Sequence, residues 1–225
     1  MAKLSHLAEL RKTLAMNRIP FPDMKRPLIA ILRGIKPEET EAVVGALIEN
    51  GLTAIEIPLN SPEPFKSIEI AAKMAPADVL IGAGTVLTTE AVDSLHAAGG
   101  KLLVTPNVEP DVIIRARDYG MVTMPGVFTP TEALQAARAG ATGLKFFPAS
   151  VLGPSGITAI RAILPPELVI AAVGGVSDKN FSDYTKAGIL AFGLGTSIYK
   201  PGMTAAEVAE RAKATILAYD AAIGA

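Results

Sequence analysis

The feature that most constrains the fold is a regular alternation of short apolar runs with amphipathic stretches, which begins at residue 28. The first apolar run covers residues 28–33, and the helical pattern after it begins near Pro37 and ends at Asn50 and Gly51. Further glycines stand just past later helical stretches, namely Gly99, Gly120, Gly140 and Gly188. Because neighbouring parallel strands need a crossover connection, this alternation predicts a parallel sheet.

Eight such units fill one domain, residues 28–225. The predicted strands cover residues 28–33, 54–60, 79–86, 101–108, 121–128, the run around Lys145, 168–176 and 189–198. The helices after the first are predicted over residues 62–75, 88–98, 109–119, 130–139, 154–163, 178–187 and 203–222. Eight units in about 200 residues predict an α/β protein with the (β/α)8 TIM barrel fold. A doubly wound open sheet is the alternative, because periodicity does not show closure. The first strand lacks the Gly-x-Gly-x-x-Gly turn of dinucleotide-binding sheets.

The segment ahead of the barrel, residues 1–27, is predicted to form an extra N-terminal helix and a connector. Leucines recur at helical spacing over residues 3–16, at Leu4, Leu7, Leu10 and Leu14. Prolines then break the pattern, at Pro20, Pro22 and Pro27. No signal-peptide core and no uncharged stretch of transmembrane length is present, so we expect a cytoplasmic protein with no membrane partner.

Charge and composition argue against several classes of function. Lys and Arg number 21 against 22 Asp and Glu, a net charge of −1, so no nucleic-acid partner is expected. Cysteine is absent, which removes disulfides and thiolate chemistry. With His6 and His96 as the two histidines, a histidine-rich metal centre is not expected, although a carboxylate-held Mg²⁺ stays open. We expect no cofactor and no resident metal.

Lys145 stands inside the apolar run GLKFFPA, residues 143–149, which is otherwise typical of a buried strand. Taking an ammonium group out of water lowers its pKa and leaves a neutral, nucleophilic amine, the property that Schiff-base lysines need. The alternatives are a lysine that reaches water from the strand end and one that pairs with a carboxylate. Lys145 is therefore the candidate catalytic nucleophile.

Glu56 lies between two isoleucines in the second predicted strand. Burial would raise the pKa of its carboxyl group and suit it to general acid and base catalysis, whereas a nearby lysine would lower that pKa. The alternative is a structural ion pair with Lys145.

Glycine clusters end the last two predicted strands. Gly174 and Gly175 follow Val173, and Gly195 precedes Thr196. Glycines there free backbone N–H groups for an anion, and barrels bind phosphate at the loops after strands seven and eight. Tight turns alone would also explain either cluster, but two clusters at these strands favour a phosphate site.

Other polar residues stand where strands are predicted to end. Arg33 is a candidate clamp for a carboxylate, because its guanidinium presents a fork of donors, or else an exposed arginine. Thr85, in the motif GAGT, and Pro106 with Asn107, in TPN, are candidate substrate contacts that turn chemistry explains nearly as well.

Several motifs together resemble the pyruvate-forming class I aldolases that cleave 2-keto-3-deoxy-6-phosphosugar acids. The matching stretches are ILRG at 31–34, EIPLNSP at 56–62, GAGTVL at 82–87, TPN at 105–107, KFFPA at 145–149 and VGGV at 173–176. They run in the family's order and cover essentially all of residues 28–200. Each motif alone is weak, but the set is very specific.

The resemblance implies roles for these residues. Lys145 would form an imine at the C2 ketone, and Glu56 would carry protons. Arg33 and Thr85 would hold the carboxylate. The phosphate would be held by Gly174, Gly175, Gly195 and Thr196. The partner implied is a small phosphorylated 2-keto-3-deoxy sugar acid, and the assembly implied is a homotrimer.

Within that family the chain is most similar to the branch that acts on 2-dehydro-3-deoxy-6-phosphogalactonate. Asn60 stands where the gluconate branch typically has arginine, and Val173 where that branch has threonine. The same chemistry on the gluconate epimer or on 4-hydroxy-2-oxoglutarate is the first alternative. More distant ones are a phosphosugar isomerase or synthase barrel and a non-catalytic phosphosugar-binding barrel.

Overall fold

The structure is a computed structural model that describes residues 18–224, and these residues form a barrel of parallel strands inside a layer of helices. The strands are β1 Leu28–Ile31, β2 Ala54–Pro58, β3 Leu80–Gly84, β4 Leu102–Val104, β5 Val122–Met124, β6 Gly126–Val127, β7 Gly143–Phe146, β8 Val169–Val173 and β9 Ala191–Leu194. The helices are α1 Pro37–Glu49, α2 Pro64–Met74, α3 Thr89–Ala97, α4 Pro110–Asp118, α5 Pro130–Arg138, α6 Ala149–Arg161, α7 Phe181–Thr185 and α8 Ala205–Ile223. The helix predicted over residues 3–16 lies outside the described residues.

The barrel closes where the fifth predicted strand lies, and Pro125 divides this strand into two short ones, β5 and β6. The strands follow one another in the order β5-β4-β3-β2-β1-β9-β8-β7-β6, and Pro125 separates β5 from β6. Proline has no N–H to donate, which interrupts the ladder. Its carbonyl still accepts a hydrogen bond from the Lys145 N–H at 2.9 Å. Thr123 and Thr142 add two reciprocal bonds from backbone N–H to hydroxyl, at 3.1 and 3.0 Å. The (β/α)8 prediction is therefore confirmed, and the open-sheet alternative is wrong.

Two apolar clusters explain why the strands are hydrophobic on both faces. The larger lies between strands and helices. The smaller fills the barrel interior, with Ile29, Ala54, Leu102, Val104, Val122, Met124, Ala171 and Ala191. Phe21 and Met24 of the connector pack on this inner cluster beside Leu80 and Val169, the first residues of their strands. The connector therefore covers the amino-terminal end of the barrel and leaves the other end open.

Several strands and helices begin or end at other residues than predicted, and the reason is local backbone geometry. Strand β8 stops at Val173 because Gly174 and Gly175 take φ values of 90° and 76°, which no strand adopts. The helical turn after β7 begins at Ala149 rather than at residue 154, with a break at Gly153 (φ 70°, ψ 166°). As a result, residues predicted to extend the strands lie instead in loops at the carboxyl-terminal rim.

Candidate active site

A cavity of about 650 Å³ opens at the carboxyl-terminal ends of the strands. Its lining comprises Ile31, Arg33, Glu56, Thr85, Pro106, Lys145, Phe147, Val173, Gly174, Gly175, Val176, Ser177, Asp178, Lys179, Gly193, Gly195, Thr196, Ser197 and Arg211. Ten of the twelve residues singled out from the sequence are therefore brought together, and Asn60 and Asn107 are not part of this lining.

Lys145 projects from β7 and is 8% exposed. Burial lowers the pKa of its ammonium group, the charge of Glu56 raises that pKa, and the charge of Arg33 lowers it. The Phe147 ring lies with its centroid 5.0 Å from Nζ, and Nζ donates no hydrogen bond to any residue of 18–224. This low exposure favours a buried amine over a lysine that extends into bulk water, and the amine is available as a nucleophile inside the cavity.

Glu56 projects from β2 and is 3% exposed. Burial raises the pKa of its carboxyl group to about 7, against the opposing charges of Lys145 and Arg33. Its Oε2 has no hydrogen-bond partner, and no ion pair joins it to Lys145, within the described part of the chain. A buried carboxyl without a fixed partner, poised near neutral pH, suits proton transfer better than a structural ion pair.

Both glycines of the motif GAGT, Gly82 and Gly84, stand where a side chain would overlap neighbouring atoms. A Cβ atom at Gly82 would overlap the backbone of Leu102 on β4, and one at Gly84 would overlap the Glu56 carboxyl group. Gly84 pairs in register with Pro58, two residues beyond Glu56. The space that Glu56 occupies is thus created by the missing side chain of the neighbouring strand.

Arg33 and Thr85 lie at the same end of the cavity as the catalytic pair. Arg33 is exposed just past β1, and its Nη1 donates to Oδ1 of Asn60 at 2.5 Å. Asn60 is therefore not in the cavity lining itself but orients the side chain of Arg33, which is. Thr85 has φ 58°, a left-handed conformation that costs a non-glycine residue energy and is common at functional sites. Asn107 offers its carbonyl to the Thr105 hydroxyl, a turn contact.

Another part of the cavity lining is formed by the turns after β8 and β9. Gly174 and Gly175 hold positive φ, and the turn after β9 contains Gly195, Thr196 and Ser197. The N–H groups of Gly175, Thr196 and Ser197 donate no hydrogen bond to a residue in the described range. Free N–H groups converging from two turns make a concave site for an anion.

Sequence reasoning missed several lining residues. Phe147 could have been found, because it stands two residues after Lys145 and alternate strand residues share a face. Arg211 could not, because it arrives from α8, a helix that carries no motif. The Ser197 hydroxyl is buried without a hydrogen-bond partner in the part of the chain that the structure covers.

Metal ligation and membrane crossing can both be assessed for residues 18–224. No group of three or more His, Asp and Glu side chains is placed to hold a metal ion. None of the helices there combines the length and apolar character needed to cross a bilayer.

Comparison with known proteins gives consistent similarities. The sequence profile described as "Aldolase: KDPG and KHG aldolase" matches residues 23–214. The chain is 72% identical over 209 residues to the "Probable 2-dehydro-3-deoxy-6-phosphogalactonate aldolase" of Rhizobium meliloti (strain 1021), across 93% of this chain and 99% of that one. It is 47% identical over 199 residues to the 2-dehydro-3-deoxy-6-phosphogalactonate aldolase of Escherichia coli (strain K12), across 88% and 97%.

Among solved structures, the chain is similar to one described as "Native KDPGal structure". The TM-score is 0.88 with 46% sequence identity, across 91% of this chain and 99% of that one. The likeness therefore extends over most of this chain and almost all of the solved one.

Proposed function

The chain belongs to the KDPG and KHG aldolase family, and on that premise we propose that it is a class I aldolase. Its substrate is 2-dehydro-3-deoxy-6-phosphogalactonate, and its products are pyruvate and glyceraldehyde 3-phosphate. One observation carries the proposal: a buried lysine with a lowered pKa, free of hydrogen bonds to described residues, shares a cavity with a buried carboxyl group of raised pKa.

The first chemical step forms the imine. The neutral Nζ of Lys145 attacks the C2 carbonyl carbon, a C–N bond forms, and the carbonyl electron pair moves to oxygen. A proton then moves from the attacking nitrogen to that oxygen, which gives a carbinolamine with a C2 hydroxyl. Glu56 in its protonated form delivers a second proton to this hydroxyl, which leaves as water. The product is a protonated imine that can accept an electron pair.

The second step breaks the C3–C4 bond. The Glu56 carboxylate takes the proton of the C4 hydroxyl, the C4 carbonyl forms, and the C3–C4 electron pair moves into the imine to give an enamine. Glyceraldehyde 3-phosphate leaves. Protonation at C3 and attack of water on the imine carbon then release pyruvate and restore Lys145. A carboxyl pKa of about 7 suits a group that must both give and take protons.

Substrate binding divides between the two ends of the cavity. Arg33, oriented by Asn60, and Thr85 hold the carboxylate through charge-assisted hydrogen bonds. The backbone of Gly174, Gly175 and Gly195, with Thr196, holds the phosphate, and Pro106 and Asn107 complete the pocket wall. The distribution of charged and backbone donors described above supports this orientation.

The galactonate epimer is the proposed substrate, with Asn60 and Val173 as specificity residues. Val173 lines the cavity and Asn60 bonds Arg33, so both can affect the substrate region without joining the chemistry. The high identity to relatives with that name supports the choice. The gluconate epimer and 4-hydroxy-2-oxoglutarate differ at few atoms, so discrimination depends on few polar groups.

The test has two stages. Incubation with pyruvate and borohydride, followed by peptide mass spectrometry, is expected to show a pyruvate adduct on Lys145. Absence of an adduct on folded protein would point to an isomerase or a binding barrel. Steady-state kinetics on both phosphorylated epimers then decide the substrate, and a large preference for the gluconate compound would overturn the galactonate assignment.

The assembly proposed is a homotrimer, as the family resemblance implies. Three exposed apolar residues, Leu87, Phe128 and Val151, follow strands at the carboxyl-terminal rim and are candidates for an interface. Light scattering after size-exclusion chromatography measures the mass. A cytoplasmic location, and a separate role for residues 1–27 ahead of the barrel domain 28–225, stay predictions.

A further inference from the structure

Arg211 reaches the phosphate end of the cavity from the last helix. It lies on α8, is half-buried, and lines the cavity together with Thr196 and Ser197. Its Nη1 donates to the carbonyl of Thr196 at 3.0 Å and to that of Ser197 at 3.4 Å. The guanidinium is thereby fixed against the turn whose N–H groups form the anion site.

The charge of Arg211 is not neutralised by a carboxylate. Elsewhere in the chain Arg26 pairs with Asp220 and Arg115 with Asp93. By contrast, no carboxylate of residues 18–224 forms an ion pair with Arg211, which is held by carbonyl oxygens. A cation oriented by neutral acceptors keeps its full charge for a ligand.

The same arrangement occurs at the other end of the cavity. Arg33 is held by the neutral Oδ1 of Asn60 and has no carboxylate partner in the described chain either. The cavity is thus lined by two arginines, neither of which forms a salt bridge with a carboxylate of residues 18–224. The substrate of the proposed reaction carries an anionic group at each end, a carboxylate and a phosphate.

Nearby acidic groups do not cancel the charge of Arg211. Asp178 lines the cavity beside Lys179, so these two exposed side chains offset each other. Glu207 lies one helical turn before Arg211, but its carboxylate accepts hydrogen bonds from the N–H and the hydroxyl of Thr204, both at 2.8 Å. These hydrogen bonds lower the pKa of Glu207, and the charge of Arg211 lowers it further, but the two side chains form no salt bridge.

We propose that Arg211 is a further substrate-binding residue, whose guanidinium supplies the positive charge that the backbone donors of the phosphate end lack. This inference rests on the proposed function and deepens it. Backbone N–H groups offer partial charges, whereas a phosphate dianion gains most from a fixed full charge. Arg211 should therefore set the preference for phosphorylated over unphosphorylated aldehydes.

The test uses the synthetic direction, with pyruvate and either D-glyceraldehyde 3-phosphate or D-glyceraldehyde. Arg211→Gln should raise KM for the phosphorylated aldehyde about tenfold, the usual weight of one charge-assisted contact. Turnover of D-glyceraldehyde should change less than twofold. The matched control is Lys213→Gln, which removes an equal charge from an exposed residue of the same helix that pairs with Glu210. Arg211→Lys, which keeps the charge, should recover most of the loss.

The proposal is overturned if Arg211→Gln behaves like Lys213→Gln. It is also overturned if turnover falls equally for both aldehydes, since Arg211 would then only stabilise the turn after β9. Titration calorimetry with inorganic phosphate gives a reading that is independent of catalysis. Weaker phosphate binding by Arg211→Gln supports the inference. This holds even if the wild-type protein forms no pyruvate adduct, because a missing adduct would contradict the proposed function but not the role of Arg211 in phosphate binding. Unchanged phosphate binding refutes it.

Discussion

The two ends of the cavity are built from different parts of the chain. At the catalytic end, the buried side chains of Lys145 and Glu56 project from strands into the barrel interior. At the proposed phosphate end, the turns after β8 and β9 line the cavity with glycines and other short residues. On the proposed function, imine chemistry depends on the burial of two side chains, whereas phosphate binding depends on the conformation of the backbone. Substitutions should therefore affect turnover at one end and affinity at the other.

Lys145→Ala should have the largest effect, because Lys145 is the buried amine of the cavity, whereas Lys179 in the same lining is exposed. We expect kcat/KM to fall on the order of 10⁴-fold or more. The adduct formed with pyruvate and borohydride should disappear in the mass spectrum. Phosphate binding measured by calorimetry should persist, since the phosphate end is untouched. A variant that still gains a pyruvate adduct at another residue would contradict the assignment.

Glu56→Gln should lower kcat by about 10²- to 10⁴-fold, the usual contribution of a general acid and base. Pyruvate should still form an imine slowly. In the wild type, kcat/KM should fall as the pH rises above about 7, because imine formation needs the protonated carboxyl group and the carboxylate used in cleavage is produced by that same proton transfer. Glu56→Gln should lose this inflection of the pH profile. If the variant keeps the inflection, a group other than Glu56 causes it.

Protein stability gives a second reading of the Glu56 pKa. Because the folded-state pKa is raised from 4.5 to about 7, the folded protein binds the proton more tightly than the unfolded chain. The wild type should therefore lose stability relative to Glu56→Gln as the pH rises from about 4.5 to about 7. Urea unfolding of both proteins at pH 5 and pH 8 measures the difference, and a constant difference would argue against a raised pKa.

Gly84→Ala tests whether the catalytic end depends on the space beside Glu56. The added Cβ would overlap the Glu56 carboxyl group, so we expect kcat to fall about 10²-fold through misplacement of that group. The control is Gly45→Ala on α1, where the new Cβ would meet only Met74 Cε at 3.6 Å, an ordinary contact. Equal kinetics for the two variants would refute the dependence.

Gly175→Ala tests the phosphate end and should have the smallest effect on chemistry. Its φ of 76° strains any side chain, and the new Cβ would lie 2.5 Å from Ser150 Cβ. We expect KM for the phosphorylated substrate to rise about tenfold, with the rate of pyruvate adduct formation preserved. Gly195→Ala, where nothing lies within 4 Å of the new Cβ, should raise KM less. A loss of adduct formation in Gly175→Ala would show that the two ends are not separable.

Much of the fold follows from local patterns. The helix predicted to begin near Pro37 and to end at Asn50 and Gly51 is α1, because its Pro start and glycine stop act within a few residues. Strand ends were placed too late, as at Gly174. An apolar sequence continues past the point where backbone φ turns, and composition does not record that change. Barrel closure through Pro125 likewise depends on residues distant in sequence.

The sequence by itself determined the alternation of strands and helices and the polar residues at strand ends, because both depend on side-chain periodicity and turn chemistry over short distances. Only the tertiary structure decided that Lys145 and Glu56 share one enclosed interior, since burial and the resulting pKa shifts arise from closure of the whole barrel. It also decided that Arg211 lines the cavity beside Thr196 and Ser197. No local pattern reports where a final helix packs, because that contact is made between segments far apart in the chain.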